Sequence, residues 1–204
     1  MKGFIEMLTT KQLKYNSVLV QAESNLILAQ TFMRFQEHYE SPEFKDKIFT
    51  LGQIKHWYSQ KYGADTYSRD WVGFNFPSQI LQPFRQGLFD PLTNYEQMFL
   101  DLFKYRHDHF YIIGANDEST IRHELCHALF GYSVQYKAHI NQICKTYAKQ
   151  LKPIKEYLLN KGYCEEVLND EIQAYVTDNN DEFIKSNLDN NIIDKINKIY
   201  AQYS

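Results

Sequence analysis

STIRHELCHALFG, residues 119–131, decides how the rest of the chain is read. On an α-helix, residues four apart project from the same side, one turn above the other. His123 and His127 therefore stand side by side, where one tetrahedral metal ion could take an imidazole nitrogen from each. Glu124 points about 100° away. It can miss the ion and still reach a water beside it, the arrangement in which a carboxylate serves as general base. Ile121, Leu125, Ala128 and Leu129 form an apolar stripe at helical spacing that faces a core. Two imidazoles and a carboxylate on so apolar a helix need partners, because burying ionisable groups alone is costly. The competing reading is a helix whose two histidines are simply packed and hydrogen-bonded near its surface.

An open catalytic zinc site takes three protein ligands. The longer HExxHxxGxxH form fails, because Ser133 stands where its third histidine would be and Phe130 replaces its glycine. His139 is reachable only through a sharp turn near Gly131. A better candidate lies in NDEIQAY, residues 169–175. Leu168, Glu171, Ile172 and Tyr175 share one side of a predicted helix, and a carboxylate in the middle of that apolar face is out of place unless something pairs with it. Ala174, close by, is small enough to let another helix approach. Asp170, Glu165 and Glu166 are nearby carboxylates that could take the place of Glu171.

HELCH (123–127) taken with DEIQA (170–174) resembles the gluzincin metallopeptidases, which carry HExxH on one helix and a glutamate ligand on a later one, in a pattern like ExxA. The resemblance covers roughly residues 109–177. Small cytoplasmic zincins of the ImmA/IrrE type and minimal single-domain gluzincins share this layout. It implies a zincin-like fold, one Zn²⁺ per chain held by His123, His127 and Glu171, Glu124 as base, and a peptide or protein substrate. It also implies that the strand ahead of the motif helix (Phe110, Tyr111, Ile112, Ile113 and Gly114) is a sheet edge that pairs with extended substrate. The chain departs from the family at Tyr175, where many gluzincins have an aspartate that orients a histidine. A tyrosine there could hydrogen-bond a histidine, polarise a substrate carbonyl, or fill the core. Arg122 and Tyr132 flank the motif, and either could stabilise an oxyanion. The alternative function is a metal-loaded zincin-fold regulatory or interaction protein with little or no proteolytic activity. Glu124 argues against it, because a merely structural site needs no base.

Composition bounds these readings. The chain has 204 residues, 44% hydrophobic and 23% charged, which is globular rather than disordered. A net charge of −3 gives no footprint for nucleic acid or anionic lipid. No stretch approaches the ~20 apolar residues of a membrane span, and the N-terminus lacks the apolar run of a signal peptide. Three widely spaced cysteines read as free thiols in a reducing compartment, so the expectation is a cytoplasmic protein. Cys126 reads as a small buried hydrophobe. His107 and His109 read as a polar strand entry, or as a second metal site or an anchor for substrate.

The expected fold class is α+β, with a small mixed sheet in the N-terminal half packed on the motif helix and a mostly helical C-terminal half. The expected organisation is one zincin-like domain, 1–204, with a strand and helix part over 1–115 and a helical part over 116–204. Strands are predicted over residues 14–22, 71–77 and 109–114, and helices over 25–39, 50–61 and 94–104. Residues 66–95 read as an irregular segment. From 120 onward helices are predicted over the motif, 133–150, 153–160, 164–177 and 190–202.

Overall fold

The computed structural model describes residues 7–204. They form two compact units, one ending at Asn116 and the other running Asp117–Ser204. The class is α+β. Among the described residues, no helix is long and apolar enough to cross a membrane.

The first unit contains β1 (Leu8–Gln12), β2 (Ser17–Ala22), α1 (Asn25–Glu40), α2 (Leu51–Tyr62), α3 (Tyr67–Asp70), β3 (Gly73–Pro77), a 3₁₀ turn (Ser78–Ile80), α4 (Leu81–Arg85), α5 (Asn94–Leu102) and β4 (Tyr111–Ala115). The sheet order is β1-β2-β4-β3. β2 and β4 pair in parallel, and β1–β2 and β3–β4 are antiparallel. The predicted strand over 14–22 starts only at Ser17, because Tyr15 and Asn16 adopt left-handed backbone, each at φ 53°, and turn the chain between β1 and β2. β1 carries Thr9, Thr10, Lys11 and Gln12 exposed, so no alternation of its own marks it. Its strand conformation comes from pairing with β2.

The core of this unit is aromatic. Phe32 and Phe35 of α1 pack among Phe74, Phe76, Phe84 and Phe99, and Phe84 stacks on Phe89 at 3.8 Å between ring centroids. The expectation of an irregular segment over 66–95 is corrected. Its phenylalanines and Tyr67 are core, and much of the backbone beneath them is ordered as α3, β3, the 3₁₀ turn and α4. The buried Arg34 guanidinium ties α1 to α5 and to the loop that leads into it. It donates to Glu96 Oε1 at 2.6 Å and to the Phe89 carbonyl at 2.9 Å.

The expected edge strand at Phe110 to Gly114 is also corrected. Tyr111–Gly114 pair with Ser17–Val20 of β2 on one side and with Phe74–Pro77 of β3 on the other. Both backbone sides are taken, so no extended peptide can add there. The reason is burial, since all five residues of β4 are covered and a strand apolar on both faces belongs inside a sheet.

The second unit holds α6 (Glu118–Tyr132), α7 (Val134–Thr146), α8 (Lys152–Asn160), a 3₁₀ turn (Glu165–Val167), α9 (Leu168–Asp178), α10 (Glu182–Asn187) and α11 (Asn190–Tyr203). α9 is central and packs on α6, α7, α8, α10 and α11. The predicted helix over 164–177 divides into the 3₁₀ turn and α9. α10 lies in a stretch with no predicted element, where the Asp181 side chain caps it by accepting from the Ile184 N–H.

Candidate metal centre

Two helices build the site. α6 begins at Asp117, whose carboxylate accepts from the Thr120 N–H at 3.0 Å, the N-cap bond that satisfies a free helix donor. About four turns follow, with Leu125, Cys126, Ala128 and Leu129 buried. This packing presses α6 against α9, where Ile172 and Ala174 are fully buried. α9 stops at Asn179, left-handed at φ 56°, whose N–H returns to the Tyr175 carbonyl.

Across this contact His123, His127 and Glu171 come together. One ligand atom from each lies within 4.8 Å of the others, and His127 Nε2 is 3.9 Å from Glu171 Oε1. Among the described residues this is the one group of His, Cys, Asp and Glu side chains close enough to share an ion. Two ligands about 2.1 Å from a zinc ion at the tetrahedral angle stand about 3.4 Å apart, so small side-chain rotations suffice. Glu171 Oε2 is buried with no hydrogen-bond partner, a cost that a cation would remove. The donor set and the orphaned oxygen both fit a metal ion.

The two imidazoles are held from behind. His123 Nδ1 lies 2.7 Å from Asp178 Oδ2, and His127 Nδ1 lies 3.0 Å from Asp170 Oδ1. A carboxylate only accepts, so each Nδ1 carries its hydrogen and each Nε2 is the nitrogen left for an ion. Burial alone would lower the His127 pKa, but the charges of Asp170 and Glu171 outweigh it and hold the group well above the usual histidine range. For Glu171 the balance goes to burial, which raises its pKa although both imidazoles pull it down. The His127 shift reflects the carboxylates around it, and the Glu171 shift reflects burial. Glu124 is buried, at 7% exposure, on the same helix as the two histidines.

The chain position of each candidate now has a structural reading. Asp170, an alternative ligand by sequence, faces the rear nitrogen of His127. Glu165 and Glu166 are exposed on the 3₁₀ turn, outside the group. His139 is exposed on α7, with Nδ1 3.3 Å from the Tyr203 hydroxyl. His107 and His109 lie on the surface of the first unit, where His109 Nδ1 meets Gln79 Nε2 at 3.1 Å. Cys126 is fully buried, as a small hydrophobe would be. Tyr175 sets its ring edge-on to His123, with centroids 5.0 Å apart. Its hydroxyl meets that of Tyr163 at 3.0 Å and the Lys161 ammonium at 3.4 Å. Tyr132 ends α6 at 37% exposure.

Sequence reasoning missed Asp178, which takes the role expected of an aspartate at the Tyr175 position. The available signal was its spacing. Seven residues beyond Glu171, two turns along, it returns to the same helix face.

Comparison with known proteins finds no family model that matches this chain, and no curated protein or solved structure that does.

Proposed function

We propose that the second unit is a zinc-dependent hydrolase of peptide bonds, with His123, His127 and Glu171 as ligands and Glu124 as general base. The observation that carries the reading is Glu171 Oε2, buried without a partner on the carboxylate that meets both histidines. The resemblance of HELCH and DEIQA to gluzincins supports the choice of a peptide as substrate and of zinc as the ion. A bound zinc ion supplies Lewis acidity, which polarises a carbonyl and brings the pKa of water to about 7.

The protein's own groups do the rest. Asp178 and Asp170 fix the ring orientation of the histidines, which preorganises the site. Glu124 takes a proton from the attacking water as its oxygen bonds to the peptide carbon. It then passes that proton to the amine nitrogen as the C–N bond breaks. The Tyr175 hydroxyl, with the Lys161 ammonium donating to its oxygen, supports a role as hydrogen-bond donor to the developing oxyanion.

The test joins metal analysis to one substitution. The purified chain should hold about one zinc, and Glu124→Gln should keep it while losing cleavage of a quenched-fluorescent peptide library. No zinc after loading sinks the metal reading. Cleavage that survives Glu124→Gln removes the base. Zinc without cleavage by the unaltered chain favours the regulatory alternative.

A further inference from the structure

Behind Asp170, the partner of His127, lie two buried side chains, Gln173 and Tyr136, that the proposed chemistry does not use. Asp170 Oδ1, the oxygen facing His127 Nδ1 at 3.0 Å, also accepts from Gln173 Nε2 at 2.9 Å. Gln173 Oε1 in turn accepts from the Tyr136 hydroxyl at 2.6 Å. Gln173 and Tyr136 are both fully buried. Tyr136 sits on α7, so the line crosses from α7 through α9 to the ligand on α6.

The chemistry of the groups gives this line one direction. Asp170 can only accept, so the Gln173 amide must turn its N–H₂ toward it. That leaves the Gln173 carbonyl facing Tyr136, which must donate. A reversed amide would set two oxygens against each other at one end. Asp170 is thus locked as acceptor for both neighbours, and the hydrogen on His127 stays on Nδ1. The lock also matters because Asp170 adjoins Glu171 in the chain and is part-exposed, at 23% of its side chain. Released from Gln173, it could rotate away from His127.

We propose that Gln173 and Tyr136 are positioning residues for the metal centre, acting on His127 through Asp170. The inference rests on the metal reading above. It makes the affinity of the site depend on a hydroxyl that touches none of the three candidate ligands and meets Gln173 and the Cys126 thiol instead.

The test measures zinc affinity by competition with a chromogenic chelator, for the full chain and its variants. Removing the outer partner of a ligand histidine typically costs ten- to a hundredfold in metal affinity, which is the loss expected for Asp170→Ala. Tyr136→Phe, one link further out, should cost about three- to tenfold. In the Asp170→Ala background it should cost nothing more, since the line is already cut. Gln173→Met should behave as Tyr136→Phe does, and it carries the same test should the phenylalanine variant fail to fold. Unfolding with chelator present gives the comparison that a purely structural role would satisfy, because such a role lowers stability without the nonadditive effect on affinity. Unchanged affinity in both variants, or a loss that persists undiminished beside Asp170→Ala, overturns the proposal. A chain that binds no zinc at all overturns the metal reading first, and this inference with it.

Discussion

Replacing Glu171 by methionine should raise the stability of chelator-treated protein while removing its zinc binding. Glu171 Oε2 is buried and unpartnered, and leaving a buried polar atom unsatisfied costs about 1–3 kcal/mol. Burial also raises the Glu171 pKa, so its ionised form is worse off folded than in the unfolded chain. Methionine is of similar length, has no charge, and adapts to irregular apolar surroundings, which here include the buried Leu168 and Ile172. Part of the gain is offset by lost attraction to the two imidazoles, leaving about 1–2 kcal/mol. For a chain of this size each kcal/mol moves Tm by about 2–4 °C, so the variant should melt about 2–8 °C higher in chelator. Zinc reverses the order. At a free concentration a hundred times Kd, the unaltered protein gains about 2.7 kcal/mol from binding, and the variant gains little. Thermal unfolding by circular dichroism, with chelator and with zinc, reads both effects. A variant that melts lower than the unaltered chain in chelator refutes the claim that Glu171 is strained. One that gains as much from zinc refutes its role as ligand.

Asp178→Ala should weaken zinc binding about ten- to a hundredfold, and Asp178→Asn less, because it keeps an acceptor for His123 and loses only the charge; chelator competition measures both. Gly114→Ala should destabilise the first unit by about 1–3 kcal/mol, read by denaturant unfolding, because a Cβ there would come within 2.6 Å of the Phe32 ring. A thiol reagent at pH 8 should label one cysteine per folded chain, Cys164, which is exposed. Cys126 and Cys144 are buried, and burial pushes the Cys144 thiol up to about 11. Mass spectrometry of the labelled peptides decides the matter, and rapid labelling of Cys126 would contradict its packing.

Much of the site was legible before the fold because its parts obey a local rule. His123 and His127 share a helix face through spacing alone, and Glu171 declared itself as a carboxylate on an otherwise apolar face. α1, α2 and α5 were equally legible, with Ser24, Thr50 and Thr93 as their N-caps and Gly63 closing α2 at φ 80°. The segment over 66–95 was not, because its prolines and glycines mask short elements whose order comes from aromatic packing.

The residues behind the histidines were illegible for a different reason. Asp178 lies 55 positions from His123, and nothing in either neighbourhood indicates the other. Asp170 looked like a surface acid or a spare ligand, and only the packing of α6 on α9 turns it toward the rear of His127. β4 was recognisable as a strand, but whether it sat at an edge depended on where β2 and β3 paired. Sequence alone determined what each helix presents on each face, since backbone hydrogen bonding sets a period of 3.6 residues wherever a helix forms. Which face meets which, and so which carboxylate joins the two histidines and which stands behind them, is decided only when the apolar faces pack in three dimensions.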